Sequence, residues 1–193
     1  MLGSRLPRDM VQKELARLER NKAYKRLVRN LLISLVMSAA IMIVVTNLWL
    51  SVLKVNGSSM VPLLQMDEIV LVARRDNPDK NDVIAFYQNN RILIKRVIAK
   101  GGDKIDFDAG GNVSVNGEKL NEPYVTEHSR GDLDIELPFT VPAEFFFILG
   151  DNRGSSVDSR IKHFGTISKD QIIGKVMFIM WPLSRIGVVS SNE

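Results

Sequence analysis

The sequence contains no cysteine. Disulfides, a thiolate nucleophile and cysteine-ligated zinc are therefore excluded together. Imidazole is nearly as scarce. His128 and His163 are the only two histidines, and they stand in unrelated polar stretches, poor material for a Ser-His-Asp triad. Hydrolytic chemistry in this chain has to be sought without histidine. The sequence also has no internal repeat, no low-complexity tract and no glycine-rich phosphate loop opening a helix, so nucleotide binding has no support.

Basic charge is present, but it is confined. The 193 residues carry a formal charge of +4, which on its own would suggest a nucleic-acid partner. Residues 1–30 hold nine Lys or Arg against three acids, which leaves about −2 for everything after them. That distribution argues against nucleic acid. It points to a basic segment next to a membrane.

From Leu31 to Leu53 the chain reads LLISLVMSAAIMIVVTNLWLSVL, without a charged side chain. Such a run, about 23 residues and roughly 34 Å of helix, is enough to cross a bilayer. A buried core helix of that length would need a far larger protein to cover it. The run is too long for a cleaved export signal and leads into SVLKVNG rather than a small-residue cleavage site, so it reads as a retained anchor with Trp49 near the outer interface. Lys22, Lys25, Arg26 and Arg29 flank its N-terminal side, which places that side in the cytoplasm and residues 54–193 outside the membrane. The expected organisation is a basic cytoplasmic segment over 1–30, a transmembrane helix over 31–53 and an extracytoplasmic domain over 54–193. Residues 8–29 favour helix, with Asp9 as a cap and Val11, Leu15 and Leu18 at helical spacing.

The exported part reads as β. Strand character appears over Glu68–Ala73, Asp82–Tyr87, Ile92–Ala99, Asp103–Phe107, Asn112–Val115, Phe145–Leu149 and Lys175–Trp181. Asn77-Pro78, Gly101-Gly102, Gly110-Gly111 and Asn116-Gly117 punctuate these runs, and GGNVSVNG looks like the middle of a hairpin meander. Residues 122–138, polar around Arg130-Gly131-Asp132, read as an exposed mobile loop.

Three segments concentrate chemistry. Val55-Asn56-Gly57-Ser58-Ser59-Met60-Val61-Pro62 puts a serine in a glycine-flanked turn beside a hydrophobic Met and a rigid Pro, a setting that can present both hydroxyl and backbone N–H to a carbonyl. By itself a Gly-Ser-Ser stretch after a membrane helix also reads as a tether. In Arg91-Ile92-Leu93-Ile94-Lys95-Arg96-Val97-Ile98 the two cations face opposite sides of a strand, and a buried Lys95 would lose affinity for its proton. A solvated lysine on an amphipathic strand is the plainer reading of that segment. Gly150-Asp151-Asn152-Arg153-Gly154-Ser155-Ser156-Val157-Asp158-Ser159-Arg160 packs carboxylates, hydroxyls and guanidinia into one loop, dense enough to scaffold a site. Its acidic positions do not match calcium-loop spacing.

The three segments occur together and in this order behind a positive-inside anchor, and the chain resembles a Gram-positive type I signal peptidase over essentially everything after residue 30. The matching motifs are Gly57-x-Ser59-Met60-x-Pro62, then Ile94-Lys95-Arg96-Val97-Ile98 leading to Gly102-Asp103, then the Gly150 to Arg160 run. The resemblance implies a mostly β, barrel-like extracytoplasmic domain behind one transmembrane helix. It implies a serine endopeptidase without cofactor or metal. Ser59 would be the nucleophile, Lys95 the general base and the Ser59 N–H an oxyanion donor. Ser156 would orient the lysine above a structural Asp158–Arg160 pair. Partners would be exported preproteins, bound extended beside a strand and cut after small residues, and the lipid bilayer itself.

Some positions depart from the family pattern. Leu63 stands where a threonine is usual, Met66 replaces a glycine, the stretch from Ile161 to Phe164 is long, and Gly57 occupies a position where some relatives carry a helpful hydroxyl. Two other readings stay open on sequence. One is a non-catalytic relative that binds exported peptides as a chaperone or assembly factor. The other, a Ser/Lys self-cleaving repressor, would need a DNA-binding module that the N-terminus does not provide.

Overall fold

The computed structural model describes residues 8–75 and 77–190, and the chain divides into two units after Leu48. A single helix, α1, runs Arg8–Trp49. Its stretch Arg17–Val44 is long and apolar enough to cross a membrane. Most apolar side chains along it, Leu31, Leu35, Ile41 and Met42 among them, are exposed, and Val28 is half-buried. The side chains of Asp9, Val11 and Leu15, on which the expected cap and stripe depend, lie outside the described residues. Leu18 is exposed.

The apolar run does not stay helical to Leu53. Helix gives way to strand at Leu50, and β1 (Leu50–Lys54) pairs antiparallel with β2 (Ile69–Ala73), from Leu50 opposite Ala73 to Lys54 opposite Ile69. Absence of charge marks a segment as apolar without saying where its amides bond. Here the amides of the last residues of the run find partners in a neighbouring strand, and hydropathy carries no trace of that.

The remaining strands are β3 (Val83–Gln88), β4 (Arg91–Lys100), β5 (Lys104–Phe107), β6 (Val113–Val115), β7 (Glu118–Lys119), β8 (Phe139–Thr140), β9 (Phe145–Leu149), β10 (Ile167–Ser168), β11 (Ile172–Trp181) and β12 (Gly187–Val188). They form a large sheet in the order β1-β2-β11-β3-β4-β9-β10, with β12 on β11, and a smaller sheet β7-β6-β5-β8. Every pairing among them is antiparallel. The unit is mostly β, as expected. Asn116 and Gly117, both at positive φ, make the tight turn joining β6 to β7.

Alternation along the strands divides the core. Val70, Val72, Val83 and Ala85 pack with Met60 and Leu64 in one cluster, while Ile84, Phe86, Val97 and Ile148 pack with Ile161 and Phe164 in another. A third cluster joins Ile98, Ala99, Phe147 and Leu149 of the large sheet to Ile105, Phe107, Val113 and Val115 of the small one.

Residues 122–138 are not the free loop expected from their polarity. Glu122, Tyr124 and Val125 are buried, Leu133, Ile135 and Leu137 pack on the third cluster, and the Asp134 N–H donates to the Arg160 carbonyl at 3.1 Å. Arg130 and Asp132 themselves remain exposed. Spaced single apolar residues, rather than a continuous run, pin this segment down.

Candidate active site

Ser59 lies in the turn that follows β1. Gly57 enters that turn at φ +95°, a conformation that side chains of L-residues resist. The Val61 N–H donates to the Ser58 carbonyl at 3.2 Å and the Leu64 N–H to the Met60 carbonyl at 2.9 Å. Met60 and Leu64 plug the turn into the core from beneath, and Ser59 stays half-buried at its rim. The Ser59 carbonyl accepts the Asn152 N–H at 3.0 Å, and the Ser58 carbonyl accepts the Asn152 side-chain amide at 3.3 Å. Two bonds thus tie the serine turn to the loop of residues 150–160.

Lys95 stands in the middle of β4, opposite Ile84 of β3, and is only 4% exposed. Its Nζ donates to Ser156 Oγ at 2.8 Å. Burial pushes the Lys95 amine from an ordinary 10.5 down to about 8; the Asp158 carboxylate opposes the shift and the Arg160 guanidinium reinforces it. A solvated surface lysine is ruled out.

Arg96 shows how the same strand treats a second cation. It is fully buried, but its Nε and one terminal nitrogen clamp the two Asp151 oxygens at 2.9 and 2.8 Å, and its guanidinium lies 3.7 Å from the centre of the Tyr124 ring. Arg96 therefore has a neutralising carboxylate, whereas the Lys95 amine has a hydroxyl.

Two further buried pairs lie under the loop. Arg160 bonds Asp158 through Nε at 2.8 Å and a terminal nitrogen at 2.9 Å, and also donates to the Ser129 and Arg153 carbonyls. Asp158 in turn accepts the Gly150 N–H at 3.1 Å. Arg153 pairs with Glu122, thirty-one residues earlier. Gly150 is where the parts converge: a Cβ there would lie 2.3 Å from Ser156 Oγ and 2.5 Å from the Ser59 carbonyl oxygen. Among the described residues no group of three or more His, Asp or Glu is arranged to hold a metal ion.

Two clefts meet at this point. One, of about 690 Å³, is lined by Ser59 and Lys95 together with Ser155, Val157 and His163. The other, of about 630 Å³, runs between residues 53–57 and 91–95 and is also lined by Ser59 and Lys95. Ser58 lines only the first, which sets it apart from Ser59.

Ser59, Lys95 and Ser156 are thus brought together, with Asp158 and Arg160 beneath. His163 shares the first cleft, yet no side-chain hydrogen bond or ion pair holds it among the described residues; His128 lies 3.9 Å from Glu122. Sequence reasoning missed the Arg96–Asp151 and Arg153–Glu122 pairs as individual features. Density of polar groups in the 150–160 run was the signal for one half of each. Glu122, in a stretch read as solvated, gave none.

The model of the signal peptidase, peptidase S26 family matches residues 28–181. The chain belongs to that family. This S26 chain is 34% identical over 173 residues to signal peptidase IB of Staphylococcus aureus, covering 79% of itself and 89% of the relative. With signal peptidase I of Bacillus caldolyticus it shares 37% identity over 147 residues, 68% of this chain and 79% of that one. A crystal structure of a signal peptidase I from Enterococcus faecalis, 28% identical, covers 51% of this chain and 96% of its own at a TM-score of 0.43. The S26 membership makes the chain a serine protease of the signal peptidase kind.

Proposed function

We propose that this peptidase removes signal peptides from exported preproteins with Ser59 as nucleophile and Lys95 as general base. The Lys95 amine takes the proton of the Ser59 hydroxyl as Oγ attacks the scissile carbonyl carbon. It then delivers that proton to the departing amine as the C–N bond breaks. Water, deprotonated by the same amine, cleaves the acyl-enzyme and regenerates both groups. The Ser59 N–H stabilises the oxyanion, Ser156 orients the lysine, and Asp158 with Arg160 braces the loop.

The observation that carries the reading is a buried lysine amine, hydrogen-bonded to Ser156 and lowered to about 8, on the wall of a cleft shared with Ser59. Such an amine is neutral in a useful fraction of molecules near neutral pH. The sheet supports an extended substrate as well. β4 pairs with β3 over Arg91–Arg96 but with β9 only from Arg96 onward, so residues 91–95 keep one edge open to an added strand. Across the second cleft β1 is the edge strand of the sheet.

The basic flank of α1 orients the anchor with its N-terminus in the cytoplasm and the β unit outside, where preproteins emerge. Cleavage of a preprotein in detergent tests the assignment. Ser59→Ala and Lys95→Met should each abolish product while the preprotein still binds. Cutting by both variants would remove the dyad, and a wild type that binds preprotein without cutting it would make the chain a peptide-binding relative.

A further inference from the structure

Asn152 holds the serine turn at its near end, through the Ser58 and Ser59 carbonyls. The far end is held from the last part of the chain. After β11 a single turn of 3-10 helix, Leu183–Arg185, leads into β12, which pairs back on β11 with Gly187 opposite Ile179 and Val188 opposite Phe178. Val189 then enters the core cluster that contains Met60 and Leu64, the two residues that plug the turn from beneath. This return lays the Arg185 side chain on residues 62–68.

The Arg185 guanidinium reaches three acceptors there. One terminal nitrogen donates to the Leu63 carbonyl at 2.9 Å and to the Pro62 carbonyl at 3.4 Å, and Nε lies 2.7 Å from a carboxylate oxygen of Glu68. Glu68 is buried, and its other oxygen accepts the Gln65 N–H at 2.8 Å. Its main chain closes the neck of the turn, where the Val55 N–H donates to the Glu68 carbonyl at 2.8 Å. A planar cation with five fixed donors can meet a carboxylate and two carbonyls at once. Arg185 lines neither cleft that holds Ser59, so any influence it has on the chemistry runs through the turn.

We propose that Arg185 is a positioning residue for the nucleophile: by fixing the Pro62 and Leu63 carbonyls it sets, together with Asn152 on the other flank, where the Ser59 hydroxyl stands relative to the Lys95 amine. The proposal rests on the Ser59/Lys95 reading and adds to it a residue that touches neither substrate nor dyad. With one flank released, the turn pivots about the Asn152 bonds and the hydroxyl drifts from the line of attack.

Removing Arg185 alone strands the buried Glu68 carboxylate, so the test pairs two variants of the full-length enzyme in detergent. In Glu68→Gln the guanidinium still reaches both carbonyls, and most of kcat should remain. In Arg185→Gln with Glu68→Gln no charge is stranded but the carbonyls are released, and kcat should fall by about 10- to 100-fold, the scale of a small misplacement of a reacting group. KM should stay close to the wild type, because the clefts are untouched. The pH at which kcat/KM levels off should also stay, because Lys95 is as buried as before. Rates are expressed per folded enzyme, with the folded fraction read from denaturant unfolding of each preparation. Wild-type kcat in the double variant overturns the role, as does a loss in Glu68→Gln equal to that of the double variant, which would assign the effect to the carboxylate. A loss carried by KM, or a plateau moved toward higher pH, also overturns it by showing a general loosening of the site. Each of these leaves the dyad standing. A wild type that cuts no peptide removes the dyad reading and the positioning role with it.

Discussion

Lys95 Nζ donates a hydrogen bond to Ser156 Oγ at 2.8 Å, across sixty-one residues of sequence. In the proposed mechanism this hydroxyl fixes where the amine points. Ser156→Ala should leave Ser59 and Lys95 in place but free the amine to rotate, lowering kcat by about 10- to 100-fold, within the range spanned by positioned proton-transfer groups. Ser156→Thr should restore most of the loss. Single-turnover cleavage of a peptide, which separates the chemical step from binding, is the measurement, and equal rates for wild type and S156A would refute the role.

The pH dependence follows from the same amine. In the proposed mechanism activity requires Lys95 neutral, so kcat/KM should climb with pH and level off above about 8. A peptide carrying no titratable group in this range gives the profile, and a plateau already reached at pH 6 would contradict the assignment.

Stability should titrate in step. An amine held lower in the folded state than its ordinary 10.5 carries fewer protons folded than unfolded, so stability rises with pH between about 8 and about 10.5. Below about 8 both states hold the proton, and the folded protein bears the whole penalty of roughly 3 kcal/mol for the buried ammonium. Lys95→Met removes that penalty at the cost of one hydrogen bond worth about 1 kcal/mol. The inactive variant should be the more stable at pH 7, by about 2 kcal/mol, with the gap closing in alkali. Denaturant unfolding of the two proteins at pH 7 and pH 10.5 decides the matter.

Much of this was readable beforehand, for physical reasons that can be named. The core of every long strand was visible because branched apolar residues cluster there, as in Phe145–Leu149. The two-residue strands β7, β8, β10 and β12 are too short to show a period, and β1 was hidden inside an apolar run that fits a membrane helix equally well. Lys95 and Arg96 announced opposite faces by adjacency alone. Which carboxylate meets Arg153 depends on how residues 122–138 fold back, and no local pattern around Glu122 encodes that.

The Asp158–Arg160 pair is buried on both sides, so removing one partner strands the other. Arg160→Met or Asp158→Ala should destabilise the β unit by about 3–5 kcal/mol. Asp158→Ala should also lower the Lys95 amine further, since that carboxylate is the main group holding it up. The activity still detectable in this variant should therefore level off at lower pH than in the wild type. Thermal unfolding and the pH profile together separate the two effects.

Gly150→Ala probes how tightly the parts are fitted. The added methyl would need space already held by Ser156 Oγ and the Ser59 carbonyl, so the loop must back away from the serine turn. Cleavage should drop by more than 100-fold, about 3 kcal/mol in the barrier, for the smallest side chain that could be added. Activity within threefold of the wild type would show that the loop tolerates a shift.

The half-open edge of β4 has a consequence for anyone who wishes to redirect this enzyme. The backbone that would receive the incoming chain and the side chain that would take the proton of the Ser59 hydroxyl belong to the same five residues, 91–95. Broadening what fits and preserving how fast it is cut cannot be pursued as independent goals along that stretch. Retargeting has more room on the opposite bank, at Leu53 and Val55, where the contour of the groove can be altered without touching the amine.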